Sequence, residues 1–197
     1  MNICLFGASS DRVAGAYKEA VEALGLAMAK RGHTLLFGGG ASGMMGAAAR
    51  GVSAGGGKII GVSPSFFDVD GILFPGCEMI YTDTMHERKA ILREKADAFV
   101  ITPGGVGTYD EFFEVLTLRQ LGLHRKPIVL FNIEGCFEPL LRLLDESIAG
   151  GFMKENCREL YTVCTEVDAV LDAAERPADA GPEDIGSYKF LRYGDPK

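Results

Sequence analysis

The stretch P103-G-G-V-G-T-Y-D-E111 decides how this chain is read. Upstream, ADAFVI (96–101) is a mostly apolar run of strand length that reads as a buried strand. Downstream, FFEVLTLRQLG (112–122) has helical spacing. Three glycines in four positions thus join a buried strand to a helix. Glycine lets a backbone turn at positive φ and approach a ligand closely. The N–H groups that open the helix gather partial positive charge. Gly104, Gly105, Gly107 and Thr108 therefore form a candidate nest for an anion. Thr108 and Glu111 also fit a capping box, in which the acid serves only the helix end. Asp110 reads as a solvated first-turn acid, and Glu114 as a surface residue on the Glu111 face.

Outward from this turn the same alternation repeats. NICLFG, HTLLFGG, KIIGVSP, EMIYTD, ADAFVITP, KPIVLFN and ELYTVCT read as strands. Between them lie helical patterns: AYKEAVEALGLAMAKRG, GMMGAAARGVSAGG, MHERKAILREK, the helix after the PGGVGT turn, CFEPLLRLLDESIAGG and EVDAVLDAAE. In the first, Ala20, Leu24, Ala27 and Met28 share a face, and Gly32 marks its end. The second is rich in small residues and suited to close packing on a sheet. Apolar strands alternating with helices predict an α/β fold: a single Rossmann-like, doubly wound domain with a mostly parallel sheet flanked by helices. The pattern spans residues 1–175. Residues 176–197 read as an irregular tail whose Tyr188, Phe190, Leu191 and Tyr193 are free to dock.

Composition narrows the function. The 197 residues suit one core, and a net charge of −7 argues against a nucleic-acid surface. The five cysteines are odd in number and scattered, as expected of free thiols in a reducing cytoplasm. The N-terminus reads as a first strand rather than a leader, and no apolar run is long enough to span a membrane. His33, His86 and His124 have no metal-ligand spacing, so no metal is expected. There is no GxxxxGK[ST] and no GxSxG.

Ligands of such sheets bind beyond the carboxyl ends of the strands. The turns there are G7-A-S-S-D11, G38-G-G-A-S-G-M-M-G46, the start of TDTMHERK and PGGVGTYDE. Gly38, Gly40 and Gly43 satisfy the dinucleotide spacing, but the third strand ends GVSPS, without the acid that would hold a ribose. Arg88 and Lys89 stand early in a helix, where the dipole disfavours cations, so a bound anion or facing carboxylates must offset them.

PGGVGTYDE fits PGGxGTxxE, and M85-H-E-R-K89 fits an upstream Met-x-x-Arg-Lys element. With GGGASGMMG and EVLTLRQLGLHRKPIVLFN, the chain from about Asn2 to about Ala174 resembles the LOG family, the cytokinin riboside 5′-monophosphate phosphoribohydrolases, also described as lysine decarboxylase-like. The resemblance implies hydrolysis of the N-glycosidic bond of an N6-modified adenosine monophosphate, or of AMP, to free base and ribose 5-phosphate. It places the catalytic pair on Arg88 and Glu111. Nucleotide contacts fall on Met85, Arg88, Lys89, Gly104, Gly105, Val106, Gly107, Thr108, Glu111 and Thr117. The turns bearing Gly7, Ser9, Gly39, Gly40 and Gly43 line the same pocket, with a further acid near Asp70. It implies no cofactor, and a homodimer or a hexamer. A nucleotide-binding or sensing module without turnover is the alternative. Decarboxylation through pyridoxal phosphate would need a Schiff-base lysine, which no local motif nominates.

Overall fold

The computed structural model describes residues 1–69 and 71–177. Asp70 and the aromatic residues of the tail lie outside the described residues. The chain runs β1 (Asn2–Phe6), α1 (Gly15–Lys30), β2 (Thr34–Phe37), α2 (Gly43–Ala54), β3 (Ile59–Pro64), β4 (Glu78–Thr82) and α3 (Met85–Lys95). It continues through β5 (Ala98–Ile101), α4 (Val106–Gln120), β6 (Ile128–Phe131), α5 (Glu138–Ala149), β7 (Thr162–Cys164) and α6 (Val167–Ala174). The strands form one sheet in the order β4-β3-β2-β1-β5-β6-β7. Every neighbouring pair is parallel, so the sheet is parallel throughout.

The apolar character of the strands follows from their burial on both faces. Along β1 the side chains alternate. Ile3 and Leu5 join a cluster with Val21, Leu24 and Met28 of α1, Ala48 and Val52 of α2, and Val170 and Leu171 of α6. Cys4 and Phe6 join Leu92 of α3, Phe112 and Leu116 of α4, and Leu140 and Leu144 of α5 on the other face. Leu5 lies opposite Phe37 of β2 on one side and Val100 of β5 on the other. The chain winds outward from β1 to β4, then returns through α3 to place β5 beside β1. The strand order reverses there, and the carboxyl ends of β1 and β5 open a crevice.

The small residues of α2 do more than approach the sheet. They also let α1 and α2 pack nearly backbone to backbone. A Cβ added at Gly25 of α1 would sit 2.3 Å from the Ala48 carbonyl oxygen. One at Gly51 of α2 would sit 2.0 Å from the Glu22 carbonyl oxygen. Backbone cannot yield as a side chain can. Gly25→Ala is therefore expected to destabilise the fold by about 1–3 kcal/mol through overpacking, despite better helix propensity. Gly15→Ala in the same helix meets only the Glu19 carboxylate at 3.6 Å and should be neutral or stabilising. Urea denaturation of the two variants checks this contrast.

Candidate active site

A capping box fixes where α3 starts. Thr84 Oγ1 accepts from the Glu87 N–H at 3.1 Å, and Glu87 Oε2 accepts from the Thr84 N–H at 3.3 Å. With the first turn set, Met85, Arg88 and Lys89 fall on one helix face. Arg88 is only 9% exposed. Its Nε donates to the Val62 carbonyl at 3.2 Å, and its Nη1 donates to Glu111 Oε1 at 2.8 Å. A Cβ at Gly38 would stand 2.2 Å from Arg88 Nη2, so the glycine at the end of β2 makes room for the guanidinium. The sequence counted Gly38 within a dinucleotide spacing, and no local signal links it to an arginine fifty residues on.

Glu111 belongs to α4, which starts at Val106 with Gly105 before it. Glu111 thus lies in the second turn, beyond reach of a capping role, and no side chain caps this helix. The Thr108–Glu111 capping box does not form. Thr108 is buried, and the Glu111 side chain is 11% exposed against Arg88. Burial pushes the Glu111 carboxyl above its ordinary range, against the opposing pull of Arg88.

The cations early in α3 are offset by carboxylates facing them from α4. Lys89 Nζ lies 3.0 Å from Asp110 Oδ2 and 2.7 Å from Glu114 Oε2. Arg93 Nη1 donates to Glu114 Oε1 at 2.9 Å. Asp110 is therefore a partner of Lys89 rather than a merely solvated acid. Glu114, read from the sequence as a surface residue, is a half-buried bridge between two helices. Its hydrogen bond is the leading cause that raises the Lys89 ammonium above its usual range.

Arg88, Lys89, Asp110 and Glu111 floor a cavity of about 700 Å³ at the β1/β5 reversal. Of the residues named from the sequence, Gly7, Ser9, Gly40, Met85, Arg88, Lys89, Gly105, Val106, Gly107, Thr108 and Glu111 line it. Gly39, Gly43 and Gly104 lie in the same turns but outside the lining. Thr117 is exposed, farther along α4 and also outside the lining. Sequence reasoning named Met85 but missed the rest of the apolar wall, made by Met45, Phe67, Ile72 and Leu73. Its segment is tied across the glycine turn, where Ala41 N–H donates to the Ile72 carbonyl at 2.9 Å and Phe74 N–H donates to the Gly39 carbonyl at 2.8 Å. The exposed apolar residues of SFFDVDGILFPG were the available signal.

The five cysteines are free. Among the described residues, no group of three or more His, Cys, Asp or Glu side chains is placed to hold a metal ion. No helix of these residues is long and apolar enough to cross a membrane.

A parallel α/β sheet whose order reverses beside an uncapped glycine-rich helix start, with a buried arginine–glutamate pair below, defines a Rossmann-like protein with a candidate site for a small anionic ligand. A family model described as "Possible lysine decarboxylase" matches residues 45–174. The chain is 38% identical to a probable cytokinin riboside 5′-monophosphate phosphoribohydrolase of Oryza sativa subsp. japonica, over 98% of this chain and 88% of that one. It is also 38% identical to a cytokinin riboside 5′-monophosphate phosphoribohydrolase of Rhodococcoides fascians, over 82% of each. The chain belongs to the LOG family. Among solved structures, the Moco carrier protein of Chlamydomonas reinhardtii is similar at a TM-score of 0.66 and 26% identity, covering 87% of this chain and 93% of that one. A molybdenum cofactor binding protein of Rippkaea orientalis shares the fold at a TM-score of 0.66 and 20% identity, with the same coverage.

One histidine outside the cavity lining predicts a pH response of stability. His124 packs on Phe99, its Nε2 lies 2.8 Å from the Val115 carbonyl oxygen, and its Nδ1 accepts from the Lys126 N–H at 3.2 Å. This pattern fixes a neutral ring with the proton on Nε2. Burial lowers its pKa from 6.5 to about 4. The folded state binds this proton less readily than the unfolded one. The stability contributed by neutral His124 is therefore complete above pH 6.5 and is lost as pH falls toward about 4. Chemical denaturation across that window should show the loss, and His124→Gln should flatten it.

Proposed function

We propose that this chain hydrolyses the N-glycosidic bond of a nucleoside 5′-monophosphate, an N6-modified adenosine monophosphate or AMP itself, releasing free base and ribose 5-phosphate. One observation carries the reading: the buried Arg88–Glu111 pair lies in the same cavity as the uncapped start of α4. The names of the relatives at 38% identity support it. The 5′-phosphate sits on the N–H groups of Gly105 to Thr108, where the helix dipole favours an anion. That anchor holds the ribose over Glu111. Departure of the base leaves positive charge at the anomeric carbon, which the Glu111 carboxylate stabilises. The same carboxylate orients a water and takes its proton as the water oxygen bonds to that carbon, while the base leaves with the C–N electron pair and gains one proton, balancing the one lost by the water. Arg88 fixes the carboxylate's direction. The apolar wall receives the base.

Glu111 must be ionised to act as the base, so activity rises as pH rises through its elevated pKa. Lys89 faces the ligand while clamped by Glu114 and Asp110. That clamp holds its ammonium charged and makes it a poor Schiff-base nucleophile, contrary to a lysine decarboxylase chemistry. Thr117 and the exposed Phe113 share a face of α4. In this reading the face meets a second copy of the chain in a homodimer, with a hexamer as the larger assembly, in the cytoplasm. The second reading is a binding module without turnover, favoured by the likeness to the Chlamydomonas carrier protein.

Product analysis with AMP and isopentenyladenosine monophosphate separates the two readings. Wild type should release base and ribose 5-phosphate. Glu111→Gln should bind the nucleotide yet lose about 10²–10⁴-fold in kcat, the usual worth of a general base. Binding of both nucleotides by wild type with no base released would replace the hydrolase by the binding module.

A further inference from the structure

Of the helix starts that border the cavity, α2 after β2 and α4 after β5 each follow a glycine-rich turn. They are not equivalent. At α4 no side chain caps the end and the first turn carries no acid. At α2 the first N–H groups are already engaged by the turn that follows β1. Gly43 N–H donates to Asp11 Oδ1 at 2.9 Å, and Met44 N–H donates to the Ala8 carbonyl at 2.8 Å. Hydrogen bonds from the Gly43 backbone and the Ser42 side chain hold the Asp11 carboxyl below its ordinary range, so it stays ionised.

The topology puts this carboxylate between the two helix ends. β1 lies between β2 and β5, so its turn, Gly7 to Asp11, separates α2 from α4. That turn is laced to both sides: Ala8 N–H donates to the Pro103 carbonyl at 3.0 Å, and the Ala8 carbonyl receives Met44. Asp11 is exposed and outside the cavity lining, while Ser9, Ser10 and Ser42 beside it line the cavity. A phosphate bound at α4 finds free donors. A second phosphate reaching toward α2 finds its leading donor taken and a negative charge in the way.

We propose that Asp11 is a specificity-determining residue that restricts the site to one phosphate, closing the glycine-rich start of α2 to the β-phosphate of a nucleoside diphosphate or to the pyrophosphate of a dinucleotide. This rests on the mononucleotide reading above. It also gives a physical reason why the Gly38–Gly40–Gly43 spacing does not act as a dinucleotide site. Without the Asp11 carboxylate the Gly43 N–H at the α2 start is freed for an anion, while the Met44 N–H stays on the Ala8 carbonyl. Lys18, whose ammonium donates to the Asp11 carbonyl at 3.3 Å, stays to reinforce it.

The test is the ratio of AMP to ADP dissociation constants, by isothermal titration calorimetry, for wild type, Asp11→Asn and Asp11→Ala, with base release measured in parallel. Wild type should prefer AMP. Asp11→Ala should shift the ratio toward ADP by about tenfold or more, the worth of a charge-assisted hydrogen bond. Asp11→Asn, which keeps an oxygen for Gly43 and guards against loss of the fold, should shift it in the same direction by less. An unchanged ratio in both variants would overturn the assignment and leave Asp11 a structural cap. The two readings fail separately. Wild type that binds AMP without releasing base sinks the hydrolase reading, while the ratio still reports on Asp11. Normal base release with an unchanged ratio sinks only the role of Asp11. Failure of wild type to bind either nucleotide would overturn both.

Discussion

A guanidinium and a carboxylate, 2.8 Å apart and both almost out of water, join α3 to α4 at the floor of the cavity. Removing two charges from water costs several kcal/mol per ion, and their attraction offsets that cost only where geometry and further hydrogen bonds are good. Much of the local structure answers this demand. The Val62 carbonyl takes a second guanidinium hydrogen bond, and Gly38 leaves the space beside it. The capping box at Thr84 sets the rotation of α3 that brings Arg88 inward. The second ion-pair layer, Lys89 and Arg93 on Asp110 and Glu114, holds the two helices in register. Apolar residues would fill this space at less cost to stability, so the pair is best understood through what a poised carboxylate does beside a ligand.

The anion side of the site rests on an omission. Helix starts need partners for their first N–H groups, and most chains supply a side-chain cap. α3 has one, and α2 borrows the Asp11 carboxylate and the Ala8 carbonyl. α4 has glycines and no cap. Among the described residues nothing pairs with its first N–H groups, which face the cavity that Arg88 and Glu111 floor. In the proposed function a phosphate satisfies those donors and so fixes the rest of its molecule relative to the carboxylate, which lies one and a half turns farther along the same rigid helix.

The strands and helices were legible because their signals are local: short apolar runs, helical periodicity, and glycine at turns. The PGGVGT turn was legible for the same reason. Two Thr-x-x-Glu patterns occur, at 84–87 and 108–111, and only the first is a capping box. Nothing local separates them. The second fails because α4 begins at Val106, three residues before the start that a Thr108 cap would set, and because Arg88 comes from another helix to claim Glu111. Glu114 was misread as a surface group for the same reason, since its partners stand on α3. The small residues of α2 announced close packing but not that α1 was a partner as well as the sheet. Thr117 was carried by resemblance alone, and the single chain leaves it exposed outside the cavity. Local pattern names residues of one element, whereas the site is made of contacts between elements.

The central claim is that one rigid helix carries both the phosphate seat and the reacting carboxylate. A crystal structure of Glu111→Gln with AMP tests it most directly. The account predicts phosphate oxygens within hydrogen-bonding distance of the Gly105–Thr108 N–H groups and the ribose C1′ facing the residue at 111. A phosphate seated elsewhere in the cavity, or a ribose turned away from position 111, would contradict it.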